Sequence, residues 1–212
     1  SKEIEIKYGK KILFNEKLAN YSWFNLGGLS EIFFKPHNIE DIIFFLKTVK
    51  PKKITIIGAG SNTLIRDGGV EGITIKLSSH FSYLNLLPAN IIEIGAATLD
   101  KKIADFAIEN SLTGFEFLSC IPGSIGGAIR MNSGCYGEDV SQILHSIKVI
   151  DIKGNKKEIS ASDINFYYRG SSFDQDLIIT SVKLKGKIGA REKIQKKQKK
   201  LVEQKKNLNQ AK

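Results

Sequence analysis

Cysteine, histidine, proline and long apolar runs are all scarce in this chain. Its two cysteines, Cys120 and Cys135, form no CxxC pair. A disulfide framework or a thiolate zinc site needs more than that, and a reducing compartment is the simpler reading. The three histidines, His37, His80 and His145, share no metal-ligand spacing. No stretch approaches the roughly 20 apolar residues of a membrane span, and runs such as Ile42–Leu46 are core-sized. The opening SKEIEIKYGK holds no apolar signal region, so a cytoplasmic protein is expected. A charge excess is also missing from most of the chain. The net charge is +10, but residues 183–212 hold 12 Lys/Arg against 2 Asp/Glu, and the 182 residues before them hold 20 of each sign. The excess belongs to the tail and gives the body no nucleic-acid footprint. The tail lysines have no interleaved aromatics and match no RNA or DNA motif. They read as a solvated helix or connector, and neither nucleic acid nor membrane is expected as a partner.

What is present is an ordinary globular composition, 42% hydrophobic and 25% charged over 212 residues. That suffices for a buried core in one large or two small domains. Residues 2–20 read as a lead-in with some helix. Aromatic and β-branched residues from Tyr21 to Phe34 predict a strand that stops before Pro36. Asn38 predicts the cap of a helix over Asp41–Val49, with Ile42, Ile43, Phe45, Leu46 and Val49 on one face. Ile54–Ile57 and Gly72–Leu77 read as strands around a turn at Asp67-Gly68-Gly69, so the first 80 residues suggest β-α-β-β. Then come a strand at Ile91–Gly95 and an amphipathic helix at Leu99–Asn110. A hairpin follows about Lys153-Gly154-Asn155, and the last strands are Asn165–Arg169 and Leu177–Lys185. Strands predominate after residue 140, which points to an α+β fold. From about Ile188 a Gln/Lys-rich stretch predicts a polar, frayed helix with a thin apolar face.

Three segments carry candidate chemistry. Gly58-Ala59-Gly60-Ser61-Asn62 follows a strand, and such a turn lets backbone N–H groups converge on an anion. It is not a dinucleotide fingerprint, because Thr63 stands at the third glycine position and a turn and strand follow rather than a helix. Ile121-Pro122-Gly123-Ser124-Ile125-Gly126-Gly127, continuing to Asn132 and Gly134, is a second glycine-rich stretch about 60 residues on. Two such loops could grip a two-phosphate cofactor from both sides; each could equally be a plain structural turn. The third is Phe166-Tyr167-Tyr168-Arg169. As a strand it puts Tyr167 and Arg169 on one face and Tyr168 on the other. A strand-end Arg can fix a carboxylate or stabilise an enolate, or can simply be solvated.

Together these segments resemble the UDP-N-acetylenolpyruvoylglucosamine reductases. The matching pieces are Ser22-Trp23-Phe24-Asn25-Leu26-Gly27-Gly28, the 58–62 loop, Gly114-Phe115-Glu116-Phe117 with 121–127, Met131-Asn132-Ser133-Gly134-Cys135-Tyr136-Gly137, and Tyr168-Arg169. The resemblance implies a two-subdomain FAD-binding fold of the vanillyl-alcohol-oxidase (PCMH) type plus a C-terminal polar helix. Subdomains over 1–80 and 81–187 are expected, with a basic helical connector over 188–212. It implies FAD as cofactor, NADPH as hydride donor and an enolpyruvyl UDP-sugar as substrate, reduced to UDP-N-acetylmuramate for peptidoglycan synthesis and hence for cell shape and division. Cofactor contacts are implied for Gly58, Ala59, Gly60, Ser61, Asn62, Ile121, Pro122, Gly123, Ser124, Gly126, Gly127, Asn132 and Gly134. Substrate contacts are implied for Tyr168 and Arg169, with Arg169 stabilising the enol-like intermediate. Cys135 replaces the usual alanine. The family's third, substrate-binding domain, with its serine acid and a glutamate, has no counterpart here, so a fragment is expected, either truncated or half of a split enzyme that a separate chain could complete. The alternatives are another oxidoreductase on the same flavin fold, or a non-catalytic flavin-binding module.

Overall fold

The computed structural model describes residues 8–174 and 176–210. Its first strand lies where the sequence suggests a partly helical lead-in: Ile12–Lys17 (β1) pairs antiparallel with Leu29–Phe34 (β2). Only Ile12 of β1 is buried, so alternation along it is weak and backbone pairing defines it. Residues 2–7 of that lead-in lie outside the described residues.

The helix Ile39–Val49 (α1) forms as the sequence predicts. The Asn38 Oδ1 accepts from the Asp41 N–H at 2.7 Å, which satisfies one orphan donor of the first turn. Ile42, Phe45 and Leu46 are buried, and Phe45 stacks on Phe34 with ring centroids 4.1 Å apart. Ile54–Ile56 (β3) and Val70–Ile75 (β4) complete a four-stranded sheet in the order β1-β2-β4-β3, with β4 parallel to both β2 and β3.

A second sheet takes up the next hundred residues. Its strands are Leu84–Leu87 (β5), Ile91–Gly95 (β6), Leu144–Ile150 (β10), Lys156–Ser160 (β11) and Ile178–Lys185 (β14), wholly antiparallel in the order β11-β10-β14-β6-β5. Between β6 and β10 lie the helix Asp100–Glu109 (α2), the short strand Leu112–Thr113 (β7), a 3₁₀ turn at Glu116–Cys120, the helix Ile125–Arg130 (α3), and the tight pair Gly134–Cys135 (β8) and Glu138–Asp139 (β9). Phe166–Tyr167 (β12) and Gly170–Ser171 (β13) form a small hairpin. Lys187–Ile188 (β15) pairs with β7. The helix α3 is absent from the sequence expectation because Gly126 and Gly127 mask it.

Ile92, Ile94, Ile147, Val182 and Leu184 form one face of the second core, covered by Ile103 and Ala107 of α2 and by Phe117 and Leu118. The first core, around Phe34, Ile42, Phe45 and Ile75, also takes in Ile150 and Ile178 from the second sheet. That shared apolar seam fixes one sheet against the other, and so fixes the loops at their junction. The final helix, Arg191–Gln210 (α4), is polar as expected but docked. Ile194 and Leu201 are buried, and Lys197 Nζ reaches Glu138 at 2.7 Å and Glu116 at 3.6 Å. Among the described residues no helix is long and apolar enough to cross a membrane.

Candidate functional site

The two glycine loops, about 60 residues apart in sequence, meet in space. Ser61 Oγ donates to the Pro122 carbonyl at 2.6 Å, and a Cβ on Gly58 would sit 3.0 Å from Ser124 Oγ. The first loop is held from behind by the segment that follows β1. Gly60 has φ +73, and a Cβ there would lie 1.9 Å from the Tyr21 carbonyl oxygen. Only glycine meets both demands. The Trp23 N–H donates to Gly60 O at 3.0 Å and Ser22 Oγ to Thr63 O at 3.1 Å. The Ser22–Gly28 motif is thus a buttress for the 58–62 loop.

Among the described residues, the amide N–H groups of Gly58, Ala59, Gly60, Ser61, Asn62, Gly123 and Ser124 donate to no protein acceptor. Backbone donors left without partners are rare unless water or a ligand takes them, and a cluster of them makes an anion-binding concavity. The cradle stands between two cavities. One, of about 300 Å³, is mostly apolar and is lined by Ile56, Ala97, Gly126 and Gly127 together with Gly58 and Ala59. The other, of about 800 Å³, is lined by Asn62, Pro122, Asn132, Tyr168 and Arg169 among others.

The expected site residues divide accordingly. Gly58, Ala59, Ser124, Gly126 and Gly127 face the smaller cavity. Ser61, Asn62, Ile121, Pro122, Asn132, Gly134, Tyr168 and Arg169 face the larger one. Gly60 and Gly123 line neither. The strand expected over Asn165–Arg169 is shorter than the sequence suggests. Phe166–Tyr167 pairs back on Gly170–Ser171, which leaves Tyr168-Arg169 as a two-residue turn, with Arg169 left-handed at φ +57. The facing rule for alternate strand residues therefore fails there. Arg169 Nε instead donates to its neighbour Tyr168 Oη at 3.2 Å.

Three residues that the motifs did not single out also stand at the site. Arg130 anchors the segment that carries Arg169. Its Nη2 donates to Leu177 O at 2.6 Å and its Nη1 to Asp174 O at 3.3 Å, and its guanidinium lies 4.8 Å from the Phe173 ring centroid. Lys76 extends into the smaller cavity and donates to the Gly58 carbonyl. Burial, and then Lys35, lower its pKa. Asp100, the first residue of α2, is fully buried, and neither carboxyl oxygen has a partner. Asp100 and Lys76 fall in a helix and a strand that the sequence predicts, and Arg130 in a glycine-rich stretch where it predicts no element, so sequence alone carried no signal for any of them. Cys135 is pushed up to about 12, first by burial and then by Cys120 nearby, so it stays a protonated, unreactive thiol. Among the described residues no cluster of His, Cys, Asp or Glu could hold a metal ion.

A sequence model of the FAD binding domain matches residues 30–160, a span that takes in both glycine loops. This chain belongs to the FAD binding domain family. This chain is similar to a UDP-N-acetylenolpyruvoylglucosamine reductase from Pelagibacter ubique, 46% identical over 186 residues, which are 87% of this chain and 62% of that protein. A crystal structure of the corresponding reductase from Thermus caldophilus superposes with a TM-score of 0.79 at 26% identity, over 92% of this chain and 68% of that one. A VAO-type flavoprotein from Myceliophthora thermophila shares the fold, with a TM-score of 0.55 at 13% identity over 76% of this chain and 32% of that one. The α+β, two-subdomain flavin fold expected from the motifs is therefore the fold of this FAD-binding chain. It spans less than two thirds of the length of the Pelagibacter relative.

Proposed function

We propose that this FAD-binding chain is the flavin-holding part of an NADPH-dependent UDP-N-acetylenolpyruvoylglucosamine reductase, acting in peptidoglycan-precursor synthesis. FAD is a diphosphate between two ring systems, and a cradle of unpaired amides between two cavities suits that shape. In this reading the amides of 58–62 and of Gly123 and Ser124 hold the diphosphate, and the smaller, apolar cavity takes the adenosine end. Lys76 adds a positive charge beside the cradle. The larger cavity, lined by Asn132, Tyr168 and Arg169, would take the flavin ring and the enolpyruvyl sugar nucleotide. Bound FAD would carry a hydride from NADPH to the enolpyruvyl double bond, and a proton must follow to complete the reduction.

The chain's own part is to bind, orient and stabilise charge. Arg169 stands on a turn at the mouth of the larger cavity, and Tyr168 beside it is 86% exposed. A permanent cation there opposes the negative charge that develops on the enolpyruvyl carboxylate as hydride adds. Arg130 fixes the turn from below, and the Asn132 amide donates to Tyr167 O at 3.4 Å.

The cradle carries this reading, because it leaves seven clustered amides to a ligand. The test is a visible spectrum after incubation with FAD and removal of free flavin, followed by anaerobic addition of NADPH and assay of product from the enolpyruvyl UDP-sugar. Retained flavin that bleaches with NADPH supports the proposal. A folded sample that keeps no flavin overturns it. Flavin that NADPH does not bleach leaves a cofactor-binding module instead of a reductase.

A further inference from the structure

Among the described residues, one fully buried carboxyl stands beside the cradle with no part in the proposed reaction. Asp100 is 0% exposed, and both of its carboxyl oxygens lack any hydrogen-bond partner. A buried charge without a partner is costly, and the usual outcome is that the group holds its proton. The position of this one matters. The Asp100 backbone N–H donates to Gly123 O at 3.1 Å, and Oδ2 lies 3.3 Å from the point that a Cβ on Gly123 would occupy. Ser61 Oγ is 3.4 Å from the same point. The carboxyl group therefore lies buried against Gly123, where the two loops meet.

We propose that Asp100 is the proton-holding floor of the diphosphate cradle, and that its proton sets how tightly the FAD-binding site holds its cofactor. This rests on the reading of the cradle as the FAD diphosphate site. A neutral carboxyl beneath the amides leaves their positive ends free to act on an anion. An ionised one places a negative charge behind those donors and opposes the diphosphate. Burial raises this carboxyl to about 8. The surrounding segments, residues 58–62, 96–99 and 121–127, contain no titratable side chain. Two cations stand on the flanking elements, Lys76 at the Gly58 carbonyl and Lys205 at the Cys120 carbonyl. Neither is bonded to Asp100. On the free protein the carboxyl is neutral at pH 7 and ionises as the pH passes 8. An anion favours the protonated form, so binding takes up a proton in that range and affinity falls as pH rises.

The experiment is a fluorescence titration of the full chain with FAD at pH 7, 8 and 9, for the wild type and Asp100→Asn. The asparagine has the shape of the neutral acid and cannot ionise. Wild-type affinity is expected to fall between pH 7 and pH 9, by up to about tenfold when the bound carboxyl keeps its proton throughout. Asp100→Asn should stay flat and bind more tightly than wild type at pH 9. Equal slopes in the two proteins overturn the proposal while leaving the FAD site standing. No binding by either folded protein at any pH overturns both. Should the variant fail to fold, calorimetry on the wild type decides. Titrations at pH 8.5 in buffers of different ionisation enthalpy should show proton uptake with FAD, and uptake of none refutes the proposal.

Discussion

Gly127→Ala separates cofactor binding from folding, because the two should move in opposite directions. Gly127 lies inside α3, its backbone is not left-handed, and a Cβ there would have nothing within 4 Å. With no clash to overcome, alanine should stabilise the free protein through helix propensity. The full gain is about 0.5–1 kcal/mol, and the shortness of α3 argues for the lower end. For a chain of this size 0.5 kcal/mol raises Tm by about 1–2 °C. The empty space around that Cβ is the smaller cavity. If FAD occupies it, the methyl group meets the ligand, and inserting a methyl into a filled site costs about 1–3 kcal/mol, a loss of roughly fivefold to 150-fold in affinity. The assays are thermal denaturation without ligand and flavin fluorescence titration. The neighbouring Gly126→Ala is the control. Its Cβ would sit 3.1 Å from Ala96 O, so it should lower Tm instead. A Gly127→Ala protein that melts higher and binds FAD as tightly as wild type would place the cofactor elsewhere and refute the reasoning.

Gly60→Ala should weaken both folding and FAD binding. The left-handed backbone alone costs about 1–2 kcal/mol with a Cβ, and the clash with Tyr21 O pushes the buttress off the loop; an unchanged melting curve would contradict this. Arg130→Ala strips the Asp174 and Leu177 carbonyls of their cationic donor, worth about 1.5–3 kcal/mol. It should lower Tm and raise KM for the sugar nucleotide by loosening the Tyr168-Arg169 turn, and Arg130→Lys should restore only part. Asp41 holds Lys11 at 2.8 Å. Burial pushes its carboxyl up, but the bonds from Lys11 and the His37 N–H outweigh that, and its pKa in the fold is lowered. Its contribution is therefore present above the ordinary carboxylate value and lost as pH falls through the lowered one. Acid denaturation monitored by circular dichroism should show a shallower loss below about pH 4 for Asp41→Asn.

Sequence alone determined what depends on near neighbours along the chain. The α1 helix was legible because its cap, Asn38, and its apolar face lie within a dozen residues, and both act through local hydrogen bonds and a 3.6-residue period. The glycine loop after β3 was legible for the same reason, and five spaced motifs were enough to point to the flavin fold. Tertiary structure decided the rest. β1 exists only because β2 lies beside it, and α3 forms through two glycines because Gly126 N–H can reach Ala96 O, 30 residues away, at 3.0 Å. Arg169 sits in a turn because its strand folds back on itself. Asp100 reads in sequence as an ordinary first-turn acid, a favourable place beside a helix N-terminus. Only the closing of two distant loops over it takes away its water, and with it the partners that would have let it ionise.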